Sequence, residues 1–346
     1  MWATNRDTLA GMNRQALLGV WILIGIALIA AVAAVGDSND SIDDSDSLEA
    51  SAFEDGGESA STTVTGPTTT EAPATTAPTT APPTTIAPDE QPLPTDAAGL
   101  AEALTEAERM VRSSEEAAPW GRRQQQLYRV LTANREWATE VLDTVGDDVR
   151  LAVENNWDAR LNLSALVSSG PLSEVLPAWR IRAPLPAAEL LAIYEEAEAQ
   201  TSIPWEYLAA INLVETRMGR IEGLSTAGAT GPMQFLPSTF AECCEGDPTD
   251  DRDAIIGAGV YLTLRGGPDD MAQALRGYNN SSRYVSAVTA YANVLEEDPA
   301  AYYGYHAWDV YFLSAAGLIR MPVGYDEAEA VPAADWIAAN PDALIN

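Results

Sequence analysis

The chain has no lysine, one histidine and two cysteines among its 346 residues. The histidine is His306, so a hydrolase triad is excluded unless it uses that residue, and a site with several histidine ligands is excluded outright. We expect His306 to be a packing or surface residue. Cys243 and Cys244 are adjacent and too few for a disulfide scaffold, so we expect buried or oxidised structural cysteines. If the chain is an enzyme, its acid–base groups are expected to be carboxylates.

Positive charge is also scarce. Nineteen basic residues, all of them arginine, stand against fifty-one acidic residues and give a net charge of −32. An excess of this size repels phosphate, which argues against nucleic acid as a partner. No basic residue lies between Arg14 and Arg109, whereas thirteen acidic residues lie between positions 37 and 96. We interpret the remaining acidic residues as a solvated surface that keeps the chain soluble.

Residues 16 to 35 contain no charged side chain. Twenty residues in a helix span about 30 Å, the thickness of the hydrocarbon core, so this segment is predicted to be a transmembrane helix. Arg6 and Arg14 precede it and acidic residues follow, which places residues 1 to 15 in the cytoplasm and the bulk of the chain outside the cell membrane. The alternative is a cleaved signal peptide and a secreted protein, because residues 31 to 33 resemble a cleavage site.

Residues 36 to 96 are predicted to be a disordered, acidic linker rich in threonine and proline. From residue 66 to 94 the sequence is almost wholly Thr, Pro and Ala, and Phe53 is the only aromatic residue of the linker. Such a segment buries too little apolar surface to offset the loss of chain entropy. Its proline content favours extended geometry, which suits a spacer that holds a catalytic domain away from the membrane.

Residues 97 to 186 are predicted to be a helical region. Asp96 is a suitable N-cap for a helix from 97 to 111, and two further apolar runs at helical spacing follow Pro119 and Gly146. This region carries no catalytic constellation. We interpret it as a support or spacer, with a binding surface for a cell-wall or division partner as the alternative. Residues 322 to 346 form a C-terminal tail in which we find no motif.

The residues that carry chemistry begin with Glu215. A further helix is predicted from 187 to about 199, and the next begins at Pro204. Leu208, Ile211 and Glu215 are spaced by three and four residues, which puts Glu215 on the apolar face of its helix. Partial desolvation there raises the pKa of a carboxyl, as a general acid near neutral pH requires. The alternative is a glutamate at the helix end that turns to solvent or pairs with a nearby arginine.

Three blocks of sequence follow one another in a fixed order. They are Glu215-Thr216, then Ser225-Thr226-Ala227-Gly228-Ala229-Thr230-Gly231-Pro232-Met233-Gln234-Phe235-Leu236-Pro237-Ser238-Thr239, then Tyr278-Asn279. In this order and spacing the chain resembles the lytic transglycosylases of the Slt type, which have the goose-type lysozyme fold. The resemblance covers roughly residues 187 to 315. Three positions depart from the family pattern: Thr216 replaces the commoner Ser, Pro232 replaces Leu or Ala, and Asn280-Ser281 replaces Ala-Gly.

The resemblance implies a mostly α, lysozyme-like catalytic domain over residues 187 to 321 that acts on peptidoglycan without metal or organic cofactor. It implies that Glu215 is the single acid and base, and that the hydroxyl of Tyr278 reaches Glu215. It also implies a set of residues that contact the glycan: Ser225, Met233, Gln234 and Asn279. Each of these has a structural alternative, namely a loop cap for Ser225, core packing for Met233 and Tyr278, a buried amide for Gln234 and a turn for Asn279.

The expected reaction is cleavage of the bond between N-acetylmuramic acid and N-acetylglucosamine with formation of a 1,6-anhydro sugar. The usual glycosidase needs two carboxylates, whereas this reaction needs one, so Glu222 is expected to be an exposed loop residue. A hydrolytic muramidase on the same fold and a non-catalytic wall-binding or division scaffold are the alternatives. The aromatic residues between Tyr302 and Phe312 are expected to pack in the core, with a sugar-binding groove as the alternative.

Overall fold

The computed structural model of the protein describes residues 86 to 113, 116 to 166 and 171 to 345. The predicted cytoplasmic N-terminus, the predicted transmembrane helix and the linker up to residue 85 lie outside these residues. Within the described part, none of the helices has the length and apolar character needed to cross a membrane.

The described residues are mostly helical, as the sequence predicted. In chain order the helices are α1 Ala97–Ser113, α2 Ala117–Ala133, α3 Ala138–Thr144, α4 Arg150–Ser164, α5 Ala187–Thr201, α6 Trp205–Thr216, α7 Pro237–Cys243, α8 Asp251–Leu264, α9 Met271–Tyr278, α10 Ser282–Glu297, α11 Ala301–His306 and α12 Ala333–Ala339. The strands are β1 Val175–Leu176, β2 Arg180–Ile181, β3 Ile221–Glu222, β4 Val310–Ser314, β5 Gly317–Met321, β6 Val331–Pro332 and β7 Leu344–Ile345. Short 3-10 turns lie at Pro88–Glu90, Arg135–Trp137 and Pro341–Ala343.

Several helices begin where a side chain can cap them. The predicted cap of α1 is confirmed, because the carboxylate of Asp96 accepts a 2.8 Å hydrogen bond from the backbone N–H of Gly99. Asp250 caps α8 in the same way through the N–H of Asp253, at 3.0 Å. The apolar run that follows Pro119 is divided between two helices, since α2 ends before Asn134 and α3 starts only after a 3-10 turn.

The folded part begins before the predicted end of the linker at residue 96. Asp89 forms an ion pair with Arg122 on α2 at 2.6 Å. The guanidinium of Arg123 donates to the carbonyl oxygens of Gln91, at 2.9 Å, and Pro92, at 2.8 Å. These contacts hold residues 89 to 92 against α2, so the prediction of disorder was wrong for this stretch. The missed signal was the pairing of an acidic 3-10 turn with arginines more than thirty positions away.

The helical region and the predicted catalytic region share one hydrophobic core, which runs from Ala97 to Trp308. Helix α10 packs along α4, and α11 packs on α2. Buried hydrogen bonds join the two regions as well. The hydroxyl of Tyr305 donates to the side chain of Asn156 at 2.8 Å, and the indole N–H of Trp308 donates to Gln124 at 2.9 Å. Residues 97 to 186 are therefore part of the support on which the candidate site is built.

Most of the aromatic residues between 302 and 312 are core residues. Five of them have at most 7% of their surface exposed: Tyr302, Tyr305, Trp308, Tyr311 and Phe312. The interpretation as core packing is confirmed for these five, whereas Tyr303 is 42% exposed. His306 also has a packing role, because its Nε2 lies 2.8 Å from the carbonyl oxygen of Leu185 and burial lowers its pKa. Cys243 and Cys244 are joined by a disulfide bond, as the oxidised alternative predicted.

Residues 322 to 345 of the C-terminal tail contribute to a small second core, together with β4 and β5. Strands β4, β5 and β7 make an antiparallel sheet, in which Val310 pairs with Met321 and Ile319 pairs with Leu344. The buried face of this sheet packs on Trp179 and on residues near β2 and β3. Strand β2 pairs with β3, which directly follows the turn after α6. This second core thus supports the segment that leads from Glu215 into the glycine-rich loop.

Candidate active site

Glu215 lies in the last turn of α6 and is partly buried. Leu208 and Ile211, which share its face of the helix, are fully buried, but the residues on the other faces of α6 are buried as well, so the helix has no single apolar face. Its Oε1 accepts a 2.7 Å hydrogen bond from the hydroxyl of Tyr284 on α10. Burial raises the pKa of Glu215 to about 7, and the Tyr284 hydrogen bond opposes this rise because it favours the ionised form.

The arginines that follow Glu215 do not neutralise it. The guanidinium of Arg217 is buried and lies 5.8 Å from the ring centroid of Trp308. Arg220 donates a 2.7 Å hydrogen bond to the backbone carbonyl of His306. Among the described residues no ion pair involves Glu215. The alternative in which Glu215 pairs with a neighbouring arginine is therefore wrong.

The chain leaves α6 through three consecutive residues in the left-handed region. Their φ angles are +57° for Arg217, +60° for Met218 and +76° for Gly219. Non-glycine residues in this region cost about 1–2 kcal/mol each, and such strain clusters at functional sites. The hydroxyl of Thr216 helps to hold the turn, because it accepts from the N–H of Gly219 at 3.1 Å and donates to the carbonyl of Pro232 at 2.6 Å. Serine, which is commoner than threonine at this position of the family pattern, carries a hydroxyl as well.

The hydrogen bond from the hydroxyl of Thr216 to the carbonyl of Pro232 connects α6 to a tight turn from Thr230 to Phe235. The two ends of the turn pair through their backbones, with N···O distances of 2.8 and 3.0 Å. Gly231 has φ of +74°, and a Cβ at this position would lie 1.7 Å from the carbonyl oxygen of Pro248. Only glycine fits there. The turn places Gln234, itself at φ +49°, on the wall of a cavity.

This cavity has a volume of about 400 Å³. It is lined by Gln234, Phe235, Leu236, Thr239, Tyr261, Arg265, Arg276, Gly277, Tyr278, Asn279 and Asn280. The rings of Phe235, Tyr261 and Tyr278 pack edge to face, with centroids 5.6 to 5.9 Å apart, and form an aromatic wall. Glu215 is not a lining residue. Burial, and after it the charge of Glu215, raise the pKa of the Tyr278 phenol on the cavity wall, so the carboxylate is within electrostatic range of the cavity.

Three of the predicted site residues line this cavity together. They are Gln234 and Asn279, predicted to contact the glycan, and Tyr278, predicted to contact Glu215. The amide of Gln234 donates to the carbonyl of Gly231 at 3.0 Å, which fixes its orientation in the turn. The backbone of Asn279 closes α9 by donating to Leu275 at 2.8 Å. Asn279 thus has the predicted structural role at the turn, and it also lines the cavity.

Two other predicted residues lie elsewhere. Met233 is completely buried, so the prediction that it lines a groove was wrong and it fills the core. The hydroxyl of Ser225 accepts from the N–H groups of Ala227, at 3.2 Å, and Ala229, at 2.9 Å, and Ser225 does not line the cavity. Ser225 therefore acts as the loop cap that was its alternative.

Tyr278 requires a correction. Its hydroxyl donates to the backbone carbonyl of Met233 at 2.6 Å, and the tyrosine that donates to Glu215 is Tyr284. The two tyrosines are six positions apart on consecutive helices. Tyr278 thus positions the turn that carries Gln234, while Tyr284 positions the carboxylate. In the sequence Tyr284 is one more aromatic residue on the apolar face of α10, and no local signal distinguishes it from a core residue.

Glu222, which is predicted to be an exposed residue that takes no part in the reaction, is exposed on β3. It forms ion pairs with Arg180 and Arg182.

No family model, curated protein or solved structure matches the chain.

Proposed function

We propose that the chain is a peptidoglycan lytic transglycosylase with a lysozyme-like catalytic region, in which Glu215 is the acid and then the base. One observation carries the proposal. Glu215 is a partly buried carboxylate with a pKa of about 7, beside a cavity whose lining residues include no Asp or Glu. A glycosidase of the usual kind needs a second carboxylate within roughly 5–10 Å, whereas anhydro-sugar formation needs one that works twice.

In the first step, protonated Glu215 gives its proton to the oxygen that links N-acetylmuramic acid to N-acetylglucosamine, and the bond from that oxygen to C1 breaks. In the second step, the carboxylate takes the proton from the C6 hydroxyl of the muramic acid while the C6 oxygen forms a bond to C1. The products are a 1,6-anhydro sugar and a free 4-hydroxyl. Glu215 ends protonated, so no water is consumed and the acid is restored.

The geometry suits both steps. A pKa near 7 leaves Glu215 partly protonated at neutral pH, so that it can serve as an acid and, once ionised, as a base. Tyr284 fixes the direction of Oε1 without adding charge. The aromatic wall formed by Phe235, Tyr261 and Tyr278 offers apolar surface to a sugar ring, and the amide of Gln234 offers hydrogen bonds to its substituents.

The proposal also includes the location of the protein and its partners. A disulfide between Cys243 and Cys244 is favoured outside the cytoplasm, which supports an extracytoplasmic catalytic region behind the predicted anchor. The proposed partners are the glycan strands of peptidoglycan, and the membrane through residues 16 to 35.

The test is digestion of purified peptidoglycan by the full-length protein in mild detergent, with the products read by mass. Muropeptides that end in 1,6-anhydro sugar are expected from the wild type and not from Glu215→Gln. Glu222→Gln, an exposed glutamate on β3, is the matched control and should cut at the wild-type rate. Products heavier by one water, about 18 Da, would show that the chain is a hydrolytic muramidase. Glycan binding without any cleavage by the wild type would favour the scaffold.

A further inference from the structure

Two arginines line the cavity beside Glu215, and neither is neutralised by a carboxylate. Arg265 follows α8 and Arg276 lies in the last turn of α9. Both side chains are exposed, and no ion pair within the described residues involves either of them. The other residues that line the cavity are neutral. The cavity therefore carries two positive charges in a chain whose net charge is −32.

Arg265 is held in place by its neighbours. Its guanidinium carbon lies 4.8 Å from the ring centroid of Tyr261, a cation–π contact. Its aliphatic stem packs on Gly277, where an added Cβ would come within 2.8 Å of Cγ of Arg265. The hydroxyl of Tyr261 donates to the carbonyl of Gly277 at 3.0 Å and closes this unit. An arginine fixed in this way loses less side-chain entropy when it binds a ligand.

We propose that Arg265 and Arg276 bind a carboxylate of the substrate and thereby make the cavity selective for acidic glycan. This inference rests on the proposed function and adds the chemical class that the cavity recognises. A guanidinium matches a carboxylate through two parallel N–H···O hydrogen bonds, which neutral sugar substituents cannot offer. Local positive potential also offsets the repulsion between a strongly acidic protein and an acidic polymer.

Peptidoglycan offers such a carboxylate from two sources. One source is the peptide attached to muramic acid, and the other is the lactyl group of muramic acid once the peptide has been removed. The two arginines recognise the carboxylate chemistry that both share. Three soluble oligosaccharides of equal length separate the sources: peptide-bearing fragments, the same fragments after amidase treatment, and neutral oligomers of N-acetylglucosamine.

The experiment measures the affinity of the full-length Glu215→Gln protein for these three ligands, so that no turnover disturbs binding. Replacing both arginines, Arg265→Gln with Arg276→Gln, is expected to weaken binding of a carboxylate-bearing ligand on the order of tenfold. Binding of the neutral oligomer should change less than about twofold. Arg320→Gln, an exposed arginine on β5 outside the cavity, is the matched control and should leave all three affinities unchanged.

Gly277→Ala is a second variant that keeps both charges but displaces the stem of Arg265. It should reproduce part of the loss for the carboxylate-bearing ligand only. The ligand whose affinity falls identifies the source, since the peptide-bearing and amidase-treated fragments carry different carboxylates. Equal losses for charged and neutral ligands, or no loss at all, would overturn the inference.

The outcome is separable from the test of the proposed function. Wild-type protein that leaves peptidoglycan uncut, while its affinity depends on both arginines and on the carboxylate, would end the transglycosylase proposal and keep this inference. Wild-type protein that makes anhydro products, but whose affinity for the fragments does not depend on their carboxylate, would keep the transglycosylase proposal and end this inference. Failure to bind any of the three ligands would overturn the inference as well.

Discussion

The hydroxyl of Tyr284 donates a 2.7 Å hydrogen bond to Oε1 of Glu215, across sixty-nine positions of the chain. Tyr284 is itself 1% exposed, so this donor is held in place by the core. Two opposing effects meet at Glu215. Burial favours the neutral carboxyl, the hydrogen bond favours the carboxylate, and burial prevails, since the pKa is raised to about 7.

The first prediction concerns the pH dependence of cleavage. Glu215 must be protonated to act as the acid, and it is protonated below its pKa of about 7. The value of kcat/KM, which reports the free enzyme, is therefore expected to fall by about tenfold for each pH unit above this pKa. The measurement is kcat/KM against pH from 5 to 9 with soluble glycan fragments. A profile that stays flat from pH 6 to 9 would contradict the role of Glu215 as the acid.

The second prediction concerns stability. Between about pH 4.5 and 7 the folded protein keeps the proton on Glu215 while the unfolded chain releases it, so stability falls as pH rises through this window. The raised pKa corresponds to at most about 3–4 kcal/mol. Glu215→Gln removes this loss and should gain stability relative to wild type at pH 8 but not at pH 4. Urea unfolding at the two pH values measures the difference. An equal difference at both pH values would count against a raised pKa.

The third prediction separates the two tyrosines. Tyr284→Phe removes the donor that favours the ionised carboxylate, so the pKa of Glu215 should rise, by up to about one unit. The falling limb of the activity profile should move to higher pH by the same amount. Tyr278→Phe is the matched control, since its hydroxyl bonds to the carbonyl of Met233 instead. A profile that moves with Tyr278→Phe and not with Tyr284→Phe would reverse the assignment.

The contrast between these tyrosines shows how far the sequence alone reaches. Local signals located the predicted helices well, because a cap such as Asp96 and the 3.6-residue period act over a few positions. The same period says less about α6, where every residue from Leu208 to Val214 is buried, whichever way it faces. The tyrosine that reaches Glu215 depends on how α10 is rotated against α6, and tertiary packing sets that rotation.

The positions of Met233 and Arg265 show the same limit. Met233 lies in a block of sequence that surrounds the cavity, yet its side chain is buried in the core, whereas the next residues, Gln234, Phe235 and Leu236, line the cavity. The geometry of the turn decides this, and that geometry follows from Gly231 and its close approach to Pro248. Arg265 belongs to no motif. It lines the cavity because its stem packs on Gly277 of α9, a contact that no periodicity encodes.

The fourth prediction tests the turn that presents Gln234. Gly231→Ala meets two obstacles, a φ of +74° and the carbonyl oxygen of Pro248 at 1.7 Å from the new Cβ. Gly228→Ala is the matched control, because its φ is +80° but no atom lies within 4 Å of its Cβ. The control should lose about 1–2 kcal/mol of unfolding free energy from the backbone alone. Gly231→Ala should lose at least about 1–3 kcal/mol more, because the turn must move away from Pro248.

Urea unfolding of both alanine variants measures the two losses, and the affinity for a soluble glycan fragment reports the turn itself. Gly231→Ala should weaken glycan binding because Gln234 moves with the turn, whereas Gly228→Ala should leave binding unchanged. Equal stability losses in the two variants would show that the close approach to Pro248 costs nothing. Intact glycan binding in a folded Gly231→Ala protein would remove Gln234 from the residues that contact the substrate.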